Sequence, residues 1–457
     1  MKRGEGTSPA GSLGFAGVRA MEWTLTPALS RRERECSSIL PAPVQSSVTP
    51  VPLAPDRLLS NWDFLRVWVG QIAWSLGSGV SLVGTPLLVL ALTNSPVQAG
   101  LVAGARSAPY LLLGLPAGAL IDRWNRRTVL VCCEVGRGLA VASVPIAWAL
   151  GALTIYQLVG VALVQGIAQT FSNIAQVAAL PRLVRREQIT AAQALNTSSL
   201  GVAALIGPGL GGVLVGLGRD TADGATHAYL LDACTAIVSV AMLATIRRPL
   251  QDARVPSARR LRAEIVEGLR YLRADRPVYL LAIVNMVHRI CLGPVVVLAV
   301  VVFGRDVLQL PATQLGFVIG AAGAGGLIGS VVTPRLQRRL PIGFLIVAVM
   351  LIHGSGIGLV GLAPSLVGAM VGMAVVGVGE AMTSIVQVSY RLATIPDNLQ
   401  GRVNSVYRLG SFGAQTIGTP LAGVLVEAFG ARSALWVMSA YVLASALVFS
   451  RTNVRKI

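Results

Sequence analysis

Residues 114–130 read GLPAGALIDRWNRRTVL, residues 326–342 read GLIGSVVTPRLQRRLPI, and the second stretch repeats the first at an offset of 212. Gly114 falls on Gly326, Leu115 on Leu327, Arg123 on Arg335, Arg126 on Arg338 and Arg127 on Arg339. A second pair keeps almost the same distance: IGPGLGGVLV at 206–215 and IGTPLAGVLV at 417–426. Solenoid repeats have periods of roughly 20–50 residues. A period near 211 is far longer, and it is what a duplicated six-helix unit gives.

The material between the repeats suits such units. Of all residues 54% are hydrophobic and 13% charged, against about 25% charged in a soluble domain. Mean hydropathy is +0.68. The apolar runs are about 20 residues long, enough to cross a bilayer as helices. Twelve are counted, near 66–92, 98–120, 128–149, 153–178, 199–218, 228–246, 278–303, 314–333, 342–362, 365–388, 405–426 and 433–450. They are continuous rather than alternating, which excludes a barrel. The expected fold is an all-α membrane protein: twelve transmembrane helices in two pseudo-symmetric six-helix halves.

A net charge of +18 raises the question of nucleic acid. Its placement answers it. One set of loops holds Arg123, Arg126 and Arg127; Arg182, Arg185 and Arg186; the run from Arg247 to Arg276; Arg335, Arg338 and Arg339; Arg391 and Arg402; and Arg451, Arg455 and Lys456. The other set holds only Arg219, Arg305 and Arg432. Basic loops stay cytoplasmic, so both termini are expected inside, in a multi-pass protein of the cell (inner or plasma) membrane. The partners are then the lipid bilayer and not nucleic acid. Basic loops also suit anionic lipid.

The expected domains are a disordered cytoplasmic tail at 1–60, a six-helix half at 61–246, a linker at 247–277, a second half at 278–450 and a short tail at 451–457. The first tail is rich in Pro, Ser and Arg and has no apolar core of a cleavable signal. Its stretch LTPALSRRERE (25–35) resembles translated intergenic repeat, so a downstream start is the alternative. In the linker, Leu261, Ile265, Leu269 and Leu272 recur at helical spacing. They suggest an amphipathic helix on the inner leaflet, or a plain solvated linker helix.

No metal or cofactor is expected. The five cysteines form no framework, His227, His288 and His353 are scattered, and no HExxH or Walker loop occurs. GIGLVG at 356–361 lies inside an apolar run with no strand before it, so its glycines are read as helix-packing residues. No catalytic constellation is visible, which argues against an enzyme.

Gly118, Asp122, Arg123, Arg126 and Arg127 close the second run. Gly118 permits close approach of a neighbouring helix, and Asp122 can pair with Arg126 one turn on. This pattern resembles the signature loop of the major facilitator superfamily. Asn125 stands where that family usually has Gly, and Asn tolerates a left-handed turn. The resemblance implies a cytoplasmic latch between halves. Pro334 replaces the acid in the second copy, weakening the latch there. Gly207, Pro208, Gly211 and Gly212 of GPGLGG resemble the motif in the fifth helix of proton-coupled drug antiporters. There the glycines pack helices and the proline bends the span. ALPRLVRREQITAAQALN (179–196) and IPDNLQGRVNSVYRL (395–409) resemble the branch with enterobactin exporters and macrolide-efflux proteins. Ser78 stands where that branch often has Asp, which weakens the case for proton coupling through the first helix.

Charge within a bilayer is costly and usually functional. The acids well inside runs are Glu134, Asp232 and Glu380, with Asp232 expected near the outer surface. Glu134 and Arg137 can share a helix face, either as a structural pair or in coupling. Glu380 has no basic neighbour on its own helix and is the first candidate to carry protons. Arg106 and Arg289 fall near midplane, with His288 beside the latter, and are candidates for the substrate cavity. So are Gln165, Gln169 and Asn173, which with Gln176 form one stripe of the fourth run. The resemblance therefore implies a secondary active transporter, an antiporter that couples inward proton flow to efflux of a small amphipathic compound. A monomer is expected. The alternatives are a solute importer of the same fold and a non-transporting sensor on a transporter scaffold.

Overall fold

The computed structural model describes residues 58–246, 248, 250, 261–291 and 293–451. All belong to the unit 54–457. Of the expected tails at 1–60 and 451–457, all but 58–60 and 451 lie outside the described residues, as do linker residues 247, 249 and 251–260.

No β-strand occurs among the described residues. The first half comprises α1 (Trp62–Thr93), α2 (Pro96–Arg123), α3 (Arg126–Ala149), α4 (Ile155–Leu183), α5 (Ile189–Gly216) and α6 (Thr221–Ala244). A linker helix follows, α7 (Leu261–Ala274). The second half comprises α8 (Arg276–Arg289), α9 (Pro294–Asp306), α10 (Ala312–Gln337), α11 (Ile342–Leu362), α12 (Leu366–Thr394), α13 (Asp397–Phe429) and α14 (Ala431–Arg451). Ten of these are long and apolar enough to cross a membrane. The 28-residue α2 also has the length to cross, and α8 with α9 make one interrupted segment. The element order is thus consistent with twelve crossings.

Polar side chains start the helices where the chain re-enters them. Asn61, Ser95, Thr154, Asp220 and Ser365 each accept from a backbone N–H in the first turn, satisfying donors that lipid cannot. Asn125 does the same for Arg127 and Thr128, with φ −66° and ψ 114°. The left-handed turn expected there is absent: the amide caps α3, and that task needs an extended backbone. The seventh crossing, expected to be continuous, breaks between α8 and α9. Gly293 has φ +64°, open mainly to glycine, and Pro294 brings no N–H to continue the ladder.

The two halves repeat one packing plan. In the first, α1 packs on α5 and α6, α2 on α4, and α3 on α4 and α6. In the second, α10 packs on α12, and α11 on α12 and α14. The halves meet along α2 with α13 and along α5 with α10. The linker helix does not lie free. Gly268 packs on the Arg402 backbone, Glu267 pairs with Arg402, and Leu272 is buried in a cluster with Val278, Ile395, Val403 and Tyr407. The side chains of Leu261 and Ile265 lie outside the described set.

Candidate substrate cavity and buried charge cluster

Arginines gather at one end of the bundle and fasten helix ends. Arg126 donates to the carbonyls of Ala178 (2.9 Å) and Leu250 (3.1 Å), and Arg127 to that of Ala244. Ala244 ends α6, where unpaired carbonyls carry partial negative charge, and Ala178 lies five residues before the end of α4. Arg123 is exposed, and the Asp122 side chain lies outside the described set. Gly118 is expected to admit a neighbouring helix, yet a methyl placed on it would have nothing within 4 Å. The halves stand apart at this end, so no helix has come to it.

At the opposite end the halves touch backbone to backbone. A methyl on Gly212 would meet the Gly316 Cα at 2.8 Å, and one on Gly423 would meet the Val97 Cα at 2.9 Å. Ser95 Oγ donates to Glu427 Oε2 at 2.7 Å across the same seam. The glycines of 207–212 serve two neighbours. Gly207 and Gly211 face α1, where methyls would strike Gly79 and Val80, while Gly212 faces α10. Pro208 lies between them on the cavity wall.

Between the halves lies a cavity of about 1210 Å³, above the roughly 300–1,000 Å³ of an ordinary small-molecule pocket. Its wall includes α5 from its first residue, Ile189, to Pro208, α10 from Ile319 to Ser330, and α12 from Met373 to Ile385. It therefore reaches the arginine-rich end and stops short of the glycine-sealed one. Thr190, Gln193, Thr197 and Ser198 face it. This explains why α5 begins ten residues before the apolar run at 199: its first turns face the cavity.

Charge enters the cavity from both halves. Arg106, Arg289 and Glu380 line it, with Gln165 and Gln169. Arg106 Nη2 donates to Ser78 Oγ at 2.7 Å, so the serine occupies the place beside the guanidinium. Arg289 Nε is buried without a hydrogen-bond partner among the described residues. Tyr110 and Phe412 stack across the halves at 4.0 Å between ring centres. Asn173 and Gln176 are not on this wall.

His288, expected in the cavity, is elsewhere. It is 1% exposed and hydrogen-bonds the equally buried His353 at 2.8 Å, between α8 and α11. It lies one residue before Arg289, and the helical turn sends neighbouring side chains in different directions.

Glu134 and Arg137 do pair, at 3.0 Å, and Arg137 also binds Asp232. Asp232 accepts from Ser81 Oγ at 2.7 Å and is 0% exposed. The expectation that it lies near the outer surface fails because α6 starts at Thr221, not 228. Thr221 to Asp232 is eleven residues, about 16 Å at 1.5 Å each, which is mid-span.

A family model described as transmembrane secretion effector matches residues 51–457. The chain is 26% identical over 382 residues to the multidrug efflux pump Tap of Mycolicibacterium fortuitum, covering 82% of this chain and 92% of that protein. It is 24% identical over 362 residues to the enterobactin exporter EntS of Escherichia coli, covering 79% and 85%. The structure of a bacterial homologue of the iron transporter ferroportin, in its inward-facing state, superposes with a TM-score of 0.69 at 17% identity, over 86% of this chain and 99% of that one.

Proposed function

The chain belongs to the transmembrane secretion effector family of the major facilitator superfamily, and on that premise we propose that it exports a small amphipathic compound, drug- or siderophore-like, by alternating access driven by inward proton flow. One observation carries the reading: a 1210 Å³ cavity between the halves reaches one end of the bundle and is sealed at the other. The open end bears the arginines, so by the positive-inside rule it faces the cytoplasm, where an exporter loads. The efflux activities named for Tap and EntS support export over import.

The wall suits an amphipathic solute. The Tyr110–Phe412 stack offers an aromatic surface, and the amides of Gln165 and Gln169 offer adaptable hydrogen bonds. Arg106 and Arg289 supply positive charge, and Glu380 supplies the acid that exchanges protons with the cavity. Closure at the arginine-rich end would bring the region of Gly118 and Asp122 against the other half, while the Gly212–Gly316 and Gly423–Val97 contacts open. The protein acts as a monomer, since both halves of the site come from one chain.

Purified protein in proteoliposomes, given a pH gradient and a fluorescent amphipathic dye, tests this. Gradient-dependent dye accumulation that collapses with a protonophore is expected. Dye movement indifferent to the gradient would refute proton coupling, and no protein-dependent movement of any dye or siderophore-like probe would refute transport.

A further inference from the structure

Behind the cavity wall formed by α1, Asp232 is fully buried. Its Oδ1 takes Nη1 of Arg137 and its Oδ2 accepts from Ser81 Oγ at 2.7 Å. The same guanidinium donates from Nε and Nη2 to a single oxygen of Glu134, at 3.2 and 3.0 Å. Two carboxylates thus share one cation where Glu134, Arg137 and Asp232 are 3%, 2% and 0% exposed.

The surroundings add one further cation, Arg106, which reaches the cluster through space and not by a hydrogen bond. Against α6 pack α1, α3 and α5. Helix α3 brings Glu134 and Arg137. The α1 residues around Ser81 bring hydroxyls and no charge, and α5 contains no Asp, Glu, Lys, Arg or His. On α6 itself, Tyr229 is bound to Thr85 at 2.9 Å. Arg106 on α2 feels the charge of Asp232 but spends its hydrogen bond on Ser78, at the cavity. An unneutralised carboxylate in a membrane interior is strongly disfavoured. Two acids hydrogen-bonded to the same cation, with Arg106 held off on Ser78, relieve their mutual repulsion by holding one proton, which belongs to the cluster rather than to either acid.

A proton held there also needs a route. Ser81 touches Asp232 and borders the cavity, with its own surface buried in this state, so the route opens when water reaches it from the cavity side. Its hydroxyl gives its proton to Asp232 Oδ2 while taking one from a hydronium delivered by the cavity, which leaves neutral water and no net charge on the serine. Gly77, one turn earlier, keeps α1 close to the acid: a methyl there would collide with Asp232 Oδ1 and Thr235 Oγ1. Once Asp232 is protonated it donates to Ser81 instead of accepting. Ser81 must then turn its own hydrogen toward the cavity, one turn from Ser78 and its bond to Arg106.

We infer that Glu134, Arg137 and Asp232 form a second proton-binding site, separate from Glu380 in the other half and loaded from the cavity through Ser81. Its use in coupling rests on the export reading. Its existence does not, and the test involves no substrate. Infrared difference spectra of the purified full chain, taken between alkaline and acidic buffer, report the carbonyl stretch of a protonated acid in a dry site. A titrating band is expected in the wild type. It is lost in Asp232→Asn or in Glu134→Gln and retained, shifted, in Asp232→Glu. Ser81→Ala keeps the band but slows its exchange in deuterated buffer several-fold. A wild type with no titrating band, or a band unchanged in both Asp232→Asn and Glu134→Gln, overturns the inference. Exchange at the wild-type rate in Ser81→Ala overturns the route. Absence of transport in proteoliposomes alongside an intact band would instead count against the export reading.

Discussion

A single methyl is enough to test how the halves meet. At Gly316 it would lie 2.9 Å from the Gly212 Cα, too close for backbone to yield cheaply. Such overpacking costs about 1–3 kcal/mol, and about 1.4 kcal/mol is a factor of ten in a conformational equilibrium. Gly316→Ala should therefore favour the state open at the glycine-sealed end. A cysteine at Gln415 on the cavity wall, in a background without other cysteines, should react about ten-fold faster with an impermeant thiol reagent in intact cells. The acid on the wall gives the second expectation. Glu380→Gln should abolish uphill export yet keep downhill exchange, as compared in the same proteoliposomes. Arg106, Arg289 and Glu380 are legible as site candidates because a charge inside an apolar run stands out. Asp232 is not placed so well, because hydropathy starts its run at 228 and makes the acid look peripheral. The His288–His353 bond joins residues distant in sequence, and no spacing signals it.

Among elements, α2 carries the expectation that separates a latch from a mere basic loop. Around Gly118 there is free space in this state, so Gly118→Leu should fold and insert normally. It should block closure at the arginine-rich end and cut transport at least ten-fold, with membrane abundance measured in parallel. Wild-type transport in this variant would mean that α2 meets nothing there in any state. Element boundaries show where hydropathy stops informing. The apolar core of each crossing is visible, but α5, α6 and α13 begin before their apolar runs, and for α5 the extra turns face the cavity or the arginine-rich end. The break at Gly293–Pro294 is written in the dipeptide itself, yet the apolar residues on either side mask it as one run.

At the scale of the whole molecule, the repeat at an offset near 211 is enough to give two like halves, because duplicated units bury like faces. Which helices seam the halves is not legible: α2 with α13 and α5 with α10 are contacts between runs of similar composition. The orientation proposed from the arginines can be measured. A cysteine replacing Arg270 on α7 should resist an impermeant thiol reagent in intact cells, and one replacing Val307 at the end of α9 should react. The opposite pattern would invert the direction of transport. The central claim, that one cavity opens by turns at two ends, is tested most directly by distances between paired spin labels. One pair spans α5 and α10 at the arginine-rich end, at residues 191 and 331. The other spans the halves at the sealed end, at residues 217 and 307. On acidification or addition of a transported dye, the first distance should shorten as the second lengthens. Two distances that stay fixed, or that change in the same direction, would contradict alternating access.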